Sequence, residues 1–207
     1  MKAIIIEYTN SNPIECVKKL QPYWFSFKKI FIYTREKGKS VSKALIDAHK
    51  ARLREIKTLK SIKEKLKKIP QEIFAHPVFF KGLDYSQDKV VVVADILEKN
   101  SFDTKKNIID YYIEFQKLLW SYQMHDKTYK LQQNYGLNQN GELVCIDFGE
   151  FAYTQEEALE SINGQKWLAR NTYKKWTDIE LKNYYTECMK KLMTKENLNN
   201  YWGRVRN

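Results

Sequence analysis

From Ser40 onwards, Val41, Leu45, Ala48, Leu53, Ile56, Leu59, Ile62 and Leu66 recur every three to five residues with lysine and arginine filling the gaps. That spacing predicts a long amphipathic helix ending near Pro70. A second broad apolar face, Ile108, Ile109, Tyr112, Phe115, Leu118, Leu119 and Tyr122, follows Ser101 and Asp103, either of which can cap it. This helix is expected to be deeply packed. Residues 3–9 and 27–34 are rich in β-branched and aromatic residues and predict strands. Pro77-Val-Phe-Phe and Val90-Val-Val-Val-Ala-Asp-Ile, with Gly82 and polar residues between them, predict an antiparallel pair; four consecutive valines call for burial on both faces. Tyr135-Gly-Leu and Leu143-Val-Cys-Ile flank the turn Asn138–Gly141, whose Asn-Gly pair is a strong hairpin signal. The remainder, from Thr154 to about Trp202, is helical by pattern, with a break at Asn163-Gly164.

The chain has 207 residues, 43% hydrophobic and 29% charged, with 7 Gly and 4 Pro. It can hold a core as one domain, or one domain in two lobes, and is not disordered throughout. The longest apolar runs, Ala3 to Ile6 and Val90 to Ala94, fall far short of the ~20 residues of a membrane-spanning helix. Glu7 interrupts the N-terminal run, so a secretory signal is not expected and cytoplasmic residence is. Cys16, Cys145 and Cys188 are widely spread, without metal-ligand or disulfide-framework spacing, and read as reduced thiols.

Charge changes this picture more than composition does. The formal charge is +11, and residues 28–68 hold 15 bases against 4 acids, so 15 − 4 = +11 sits on that segment and the other residues sum to zero. Such a segment either attracts a polyanion, an anionic membrane or a phosphorylated substrate, or is a solvated helix face that serves solubility.

The stretch that suggests chemistry is Asn134 to Gly149. A hairpin with Asn before its first strand and Asp after its second sets an amide oxygen and a carboxylate at one end, the hard donors that Mg²⁺ on ATP phosphates accepts. The order of elements, the 13-residue spacing from Asn134 to Asp147 and the tripeptide Asp147-Phe148-Gly149 resemble the protein-kinase-like superfamily. The resemblance implies an α+β, bilobal kinase-like fold: a reduced, β-rich N-terminal lobe over 1–98 with the long basic helix, and a helical C-terminal lobe over 99–207. It implies ATP and Mg²⁺ as cofactors, with Asn134 and Asp147 holding the metal. Glu55 would take the place of the helix glutamate, or else be a surface ion-pair partner, and the hinge from Asp95 to Leu97 would meet adenine. Asp126 would orient or deprotonate a hydroxyl, with Lys130 or His125 near the transferred phosphate.

Several positions depart from the superfamily. The usual base position, five residues before Asn134, is Tyr129, and Asp126 lies eight before it. There is no Gly-x-Gly-x-x-Gly between the first strands, where Thr9-Asn-Ser-Asn12 is the substitute. Tyr33 and Arg35 stand where the phosphate-binding lysine belongs, which leaves Lys29 and Lys28 just upstream as candidates. After Gly149 no long activation segment follows, so the chain is more similar to compact small-molecule, sugar and lipopolysaccharide-core kinases of bacteria than to signalling kinases. The expected activity is therefore phosphoryl transfer to a hydroxyl of an anionic small molecule, sugar or glycolipid. The alternative is a pseudokinase that binds a protein, nucleic acid or anionic membrane surface through residues 28–68. A third reading is a basic nucleic-acid-binding domain with no nucleotide site.

Overall fold

The computed structural model describes residues 16–18, 23–80, 84–148, 150–168 and 176–204. The strand expected over 3–9 and the Thr9–Asn12 segment lie outside them. The first element is β1 (Cys16–Lys18), followed by α1 (Tyr23–Glu36). This helix corrects the strand expected over 27–34. Phe27, Ile30 and Phe31 are half-buried and Thr34 is buried, an i, i+3, i+4, i+7 helical set written in residues that favour strands. Phe27 and Phe31 stack with centroids 6.5 Å apart, and Thr34 Oγ1 donates to the Ile30 carbonyl at 2.8 Å. Gly38, at a φ of 76°, turns the chain into α2 (Val41–Lys65). The Ser40 side chain caps α2 by accepting from the Lys43 N–H. Ala44, Ala48, Leu59, Ile62 and Leu66 form the buried face of this segment, and α1 packs against α2 as a helical hairpin.

A short 3-10 turn (Gln71–Phe74) leads to β2 (Val78–Phe80) and β3 (Asp84–Gln87). The sheet is antiparallel with order β1-β3-β2, Val17 and Val78 both lying opposite Ser86. The expected pairing of residues 77–80 with 90–96 is thus replaced by pairing with 84–87. The valine run splits instead: Val91 and Val92 form β4, and α3 (Val93–Lys99) takes the rest. Val93, Ile96 and Leu97 are buried at i, i+3 and i+4, with Asp95 in the first turn and Lys99 in the last, where they complement the helix dipole.

α4 (Phe102–Ser121) is capped by Ser101 and buries Ile108, Ile109, Tyr112, Phe115 and Leu119 as its pattern predicts, whereas Leu118 and Tyr122 of that pattern are half-buried and Trp120, outside it, is buried. Next come β5 (His125–Asp126), the single turn α5 (Leu131–Asn134), β6 (Tyr135–Leu137) and β7 (Leu143–Cys145). The β6–β7 hairpin forms as expected, with Tyr135 opposite Cys145. Asn138 Oδ1 accepts from the N–H groups of Asn140 and Glu142, and Gly141 adopts a φ of 72°. β4 pairs with β6 on its other side, Val92 opposite Gly136. A Cβ at Gly136 would lie 2.8 Å from the Val91 carbonyl and closer still to the Val90 side chain, so only glycine lets the strands close here.

β8 (Phe151–Ala152) pairs with β5. The helical tail contains α6 (Gln155–Asn163), α7 (Ile179–Leu192) and α8 (Lys195–Tyr201), and α6 stops at Gly164 as predicted. The chain is an α+β fold whose hydrophobic core continues from Leu59 and Ile62 of α2 through Tyr112 and Tyr135 to Leu198. Phe148 is fully buried within it, 5.4 Å from Phe74 edge-on and 4.9 Å from Tyr85 between ring centroids. Among the described residues, no helix is long and apolar enough to cross a membrane.

Candidate functional site

The Asn134–Asp147 end of the hairpin is assembled by backbone. The Asn134 carbonyl accepts from the Ile146 N–H at 2.8 Å and the Asp147 N–H at 3.4 Å, so the strand start and the strand exit are stitched together. The Asn134 N–H donates to the Lys130 carbonyl, which fixes α5 below the hairpin. Asp147 is exposed, whereas its neighbour Phe148 is buried; Gly149 lies outside the described residues. The Asn134 side chain is buried and its Nδ2 donates to Thr128 Oγ1 at 3.0 Å.

β5 brings Asp126 into the same neighbourhood, opposite Phe151 of β8. Its carboxylate is enclosed, with the residue 2% exposed. Oδ1 accepts from the Thr128 N–H at 2.7 Å and from Thr128 Oγ1 at 2.6 Å, while Oδ2 accepts from the Tyr135 hydroxyl at 2.8 Å. Gln116 Nε2 in turn donates to the Tyr135 oxygen at 3.2 Å. Burial raises the Asp126 pKa, and the hydrogen bonds from Thr128 and Tyr135 offset only part of that rise. The same burial, reinforced by the Asp126 charge, raises the Tyr135 phenol well above its ordinary value.

Tyr129 points the other way. Its backbone is left-handed, at a φ of 50°, and its hydroxyl sits 2.7 Å from His125 Nε2 and 2.9 Å from Ser161 Oγ. Trp120 Nε1 donates to His125 Nδ1 at 2.9 Å, which makes Nδ1 an acceptor and assigns the ring proton to Nε2. Tyr129 therefore accepts from His125 and donates to Ser161. Burial, with the charges of Lys127 and Lys166, pushes the His125 pKa down to about 3, so the ring is neutral. A left-handed tyrosine costs about 1 to 2 kcal/mol, which this buried chain of polar contacts offsets.

The fold thus brings together Asp126, Asn134 and the backbone of Asp147, with Lys130 half-buried where it accepts the first bond of α5. It distributes the other candidates elsewhere. Lys29 is exposed on α1, and Glu55 is on α2 with its side chain outside the described residues. Asp95 and Leu97 belong to α3, not to an extended hinge; Leu97 is buried and the backbone of both is helical. α3 nonetheless packs against α5 and β6, beside the hairpin. Thr128, Tyr135 and Gln116, which enclose the acid, carried no signal in the sequence because spacing does not report what covers a side chain.

Asn134 and Asp147 are hard oxygen donors of the type that Mg²⁺ takes. The hydrogen bond from Asn134 Nδ2 to Thr128 Oγ1 fixes the orientation of the amide. Among the described residues, no group of three or more His, Cys, Asp or Glu side chains is placed to hold a metal ion. No protein-family model, curated protein or solved structure matches the chain.

Proposed function

We propose that this chain is a kinase-like nucleotide-binding protein that acts by binding rather than by phosphoryl transfer. The observation that carries the reading is the state of its acids. Asp126 is 2% exposed with both carboxylate oxygens engaged, and Tyr129, which occupies the usual base position, is buried against His125 and Ser161. Neither can reach a substrate hydroxyl as it stands, and general-base catalysis needs hydrogen-bond reach. The kinase-like part of the reading is supported by the β1-β3-β2 sheet, the long α2, the Asn134–Asp147 hairpin and the pairing of β5 with β8 around it. Asn134 and Asp147 would hold Mg²⁺, which would neutralise and orient nucleotide phosphates. The basic α1–α2 hairpin would hold an anionic partner.

Thermal melts of the full chain with ATP, with and without Mg²⁺, test this. A ligand at 100 times its Kd stabilises by about 2.7 kcal/mol, roughly 5 to 10 °C in Tm for a chain of this size. We expect a Mg²⁺-dependent rise that Asp147→Ala removes, with no ATP consumption above background. No rise at millimolar nucleotide would remove the nucleotide site.

A second reading, Mg²⁺-dependent phosphoryl transfer to a hydroxyl of a small molecule, sugar or glycolipid, is favoured by the exposure of Asp147 and the half-exposed Lys130 next to the Asp126 loop. It requires Asp126 to be released from Thr128 and Tyr135. ATP consumption that Asp126→Asn abolishes would establish it in place of the binding reading.

A further inference from the structure

The α1–α2 hairpin leaves large apolar side chains in solvent. Leu45, Ile46 and Leu53 of α2 are 44%, 49% and 50% exposed, and Ile32 and Tyr33 of α1 are 44% and 53% exposed. On α2 they follow two adjoining i, i+4 rows: Leu45, His49, Leu53 and Lys57 in one, Ile46, Lys50 and Arg54 in the next. Lys50, Arg54 and Lys57 are exposed. The opposite side of the helix is engaged in the core through Ala44, Ala48, Leu59 and Ile62. Lys29 and Tyr33 of α1 and Lys37 in the turn after it repeat the mixture, with Lys37 Nζ 4.3 Å from the Tyr33 ring centroid. Apolar and cationic side chains are interleaved on a helix whose surroundings, residues 28–68, carry the whole +11 of the chain.

We propose that this face of α2 docks on an anionic lipid surface, with Leu45, Ile46 and Leu53 entering the boundary between headgroups and acyl chains and Lys50, Arg54 and Lys57 on the headgroup phosphates. The inference deepens the binding reading above by naming the partner of the basic hairpin. Charge alone fits any polyanion, and the apolar component selects among them. A nucleic-acid backbone gives Leu and Ile no apolar environment to enter, whereas a bilayer interface takes both the apolar side chains and the cations. The helix lies along the surface; it is too rich in lysine to cross.

Co-sedimentation of the full chain with phosphatidylcholine vesicles, with and without phosphatidylserine, tests it without nucleotide. We expect binding to the serine-containing vesicles that weakens as salt rises. Each cation near the surface contributes about fivefold, so Lys50→Ala with Arg54→Ala should weaken partitioning about 25-fold. Leu45→Ser with Leu53→Ser should weaken it about tenfold or more at unchanged helicity, since both side chains are exposed and outside the core. No binding to the anionic vesicles overturns the proposal. Binding that the double serine variant retains in full also overturns it, and an RNA homopolymer bound equally by that variant would assign the surface to nucleic acid instead. A chain that binds vesicles but shows no ATP-dependent rise in Tm keeps this inference and loses the nucleotide site; the reverse pair of results does the opposite.

Discussion

His125 and Asp126 are adjacent, both buried, and displaced in opposite directions. The His125 ring, neutral down to about pH 3 in the native protein, has an ordinary value of 6.5. Between these values the unfolded chain takes up a proton that the folded chain refuses, so its contribution to stability, present above pH 6.5, is lost as pH falls towards 3. The shift corresponds to a change on the order of 5 kcal/mol. The raised pKa of Asp126 has the opposite sign: stability from that group is greatest below pH 3.8 and falls as pH rises through the folded value. His125→Gln is expected to flatten the fall of Tm between pH 6.5 and 4, and an unchanged profile would show that His125 is not the neutral buried ring described. Much of this was illegible in the sequence. Asp126 and Asn134 could be picked out by type and spacing. That Thr128 and Tyr135 close over the acid depends on a strand pairing and a tyrosine from another element.

At the scale of elements, legibility followed how many independent signals agreed. α2 and α4 had a 3.6-residue period and a capping serine, and the β6–β7 hairpin had turn residues between two apolar runs, so all three form where expected. α1 had the period but the wrong residue types, Phe, Ile and Tyr, and tertiary packing on α2 decided in favour of the period. The valine run misled in the other direction: its β preference operates for two residues, after which Val93, Ile96 and Leu97 do better on one face of a helix. What lets β4 pair at all is the missing Cβ at Gly136. Gly136→Ala should push β4 off the hairpin and cost about 1 to 3 kcal/mol, roughly 2 to 12 °C in Tm. A variant that melts with the parent would show that the contact relaxes freely.

Over the whole molecule, Phe148 ties the hairpin to the N-terminal sheet through Phe74 and Tyr85. Phe148→Ala is expected to cost about 3 to 5 kcal/mol and to lower a single cooperative transition rather than split it, because the core is continuous. Two separate transitions in the melt of that variant would mean that this ring is what couples the two ends. The pairing of His125 with Ala152 has a wider consequence. It closes a segment whose interior is already folded back on itself by the hairpin and by the Asn134 carbonyl. Little chain freedom then remains to be lost when the outer strands meet, since closure entropy depends on the flexible length between the ends. Residues 125–152 are thus built to form and open as one local unit, with the Asp126 network locked inside whenever the outer pair is shut.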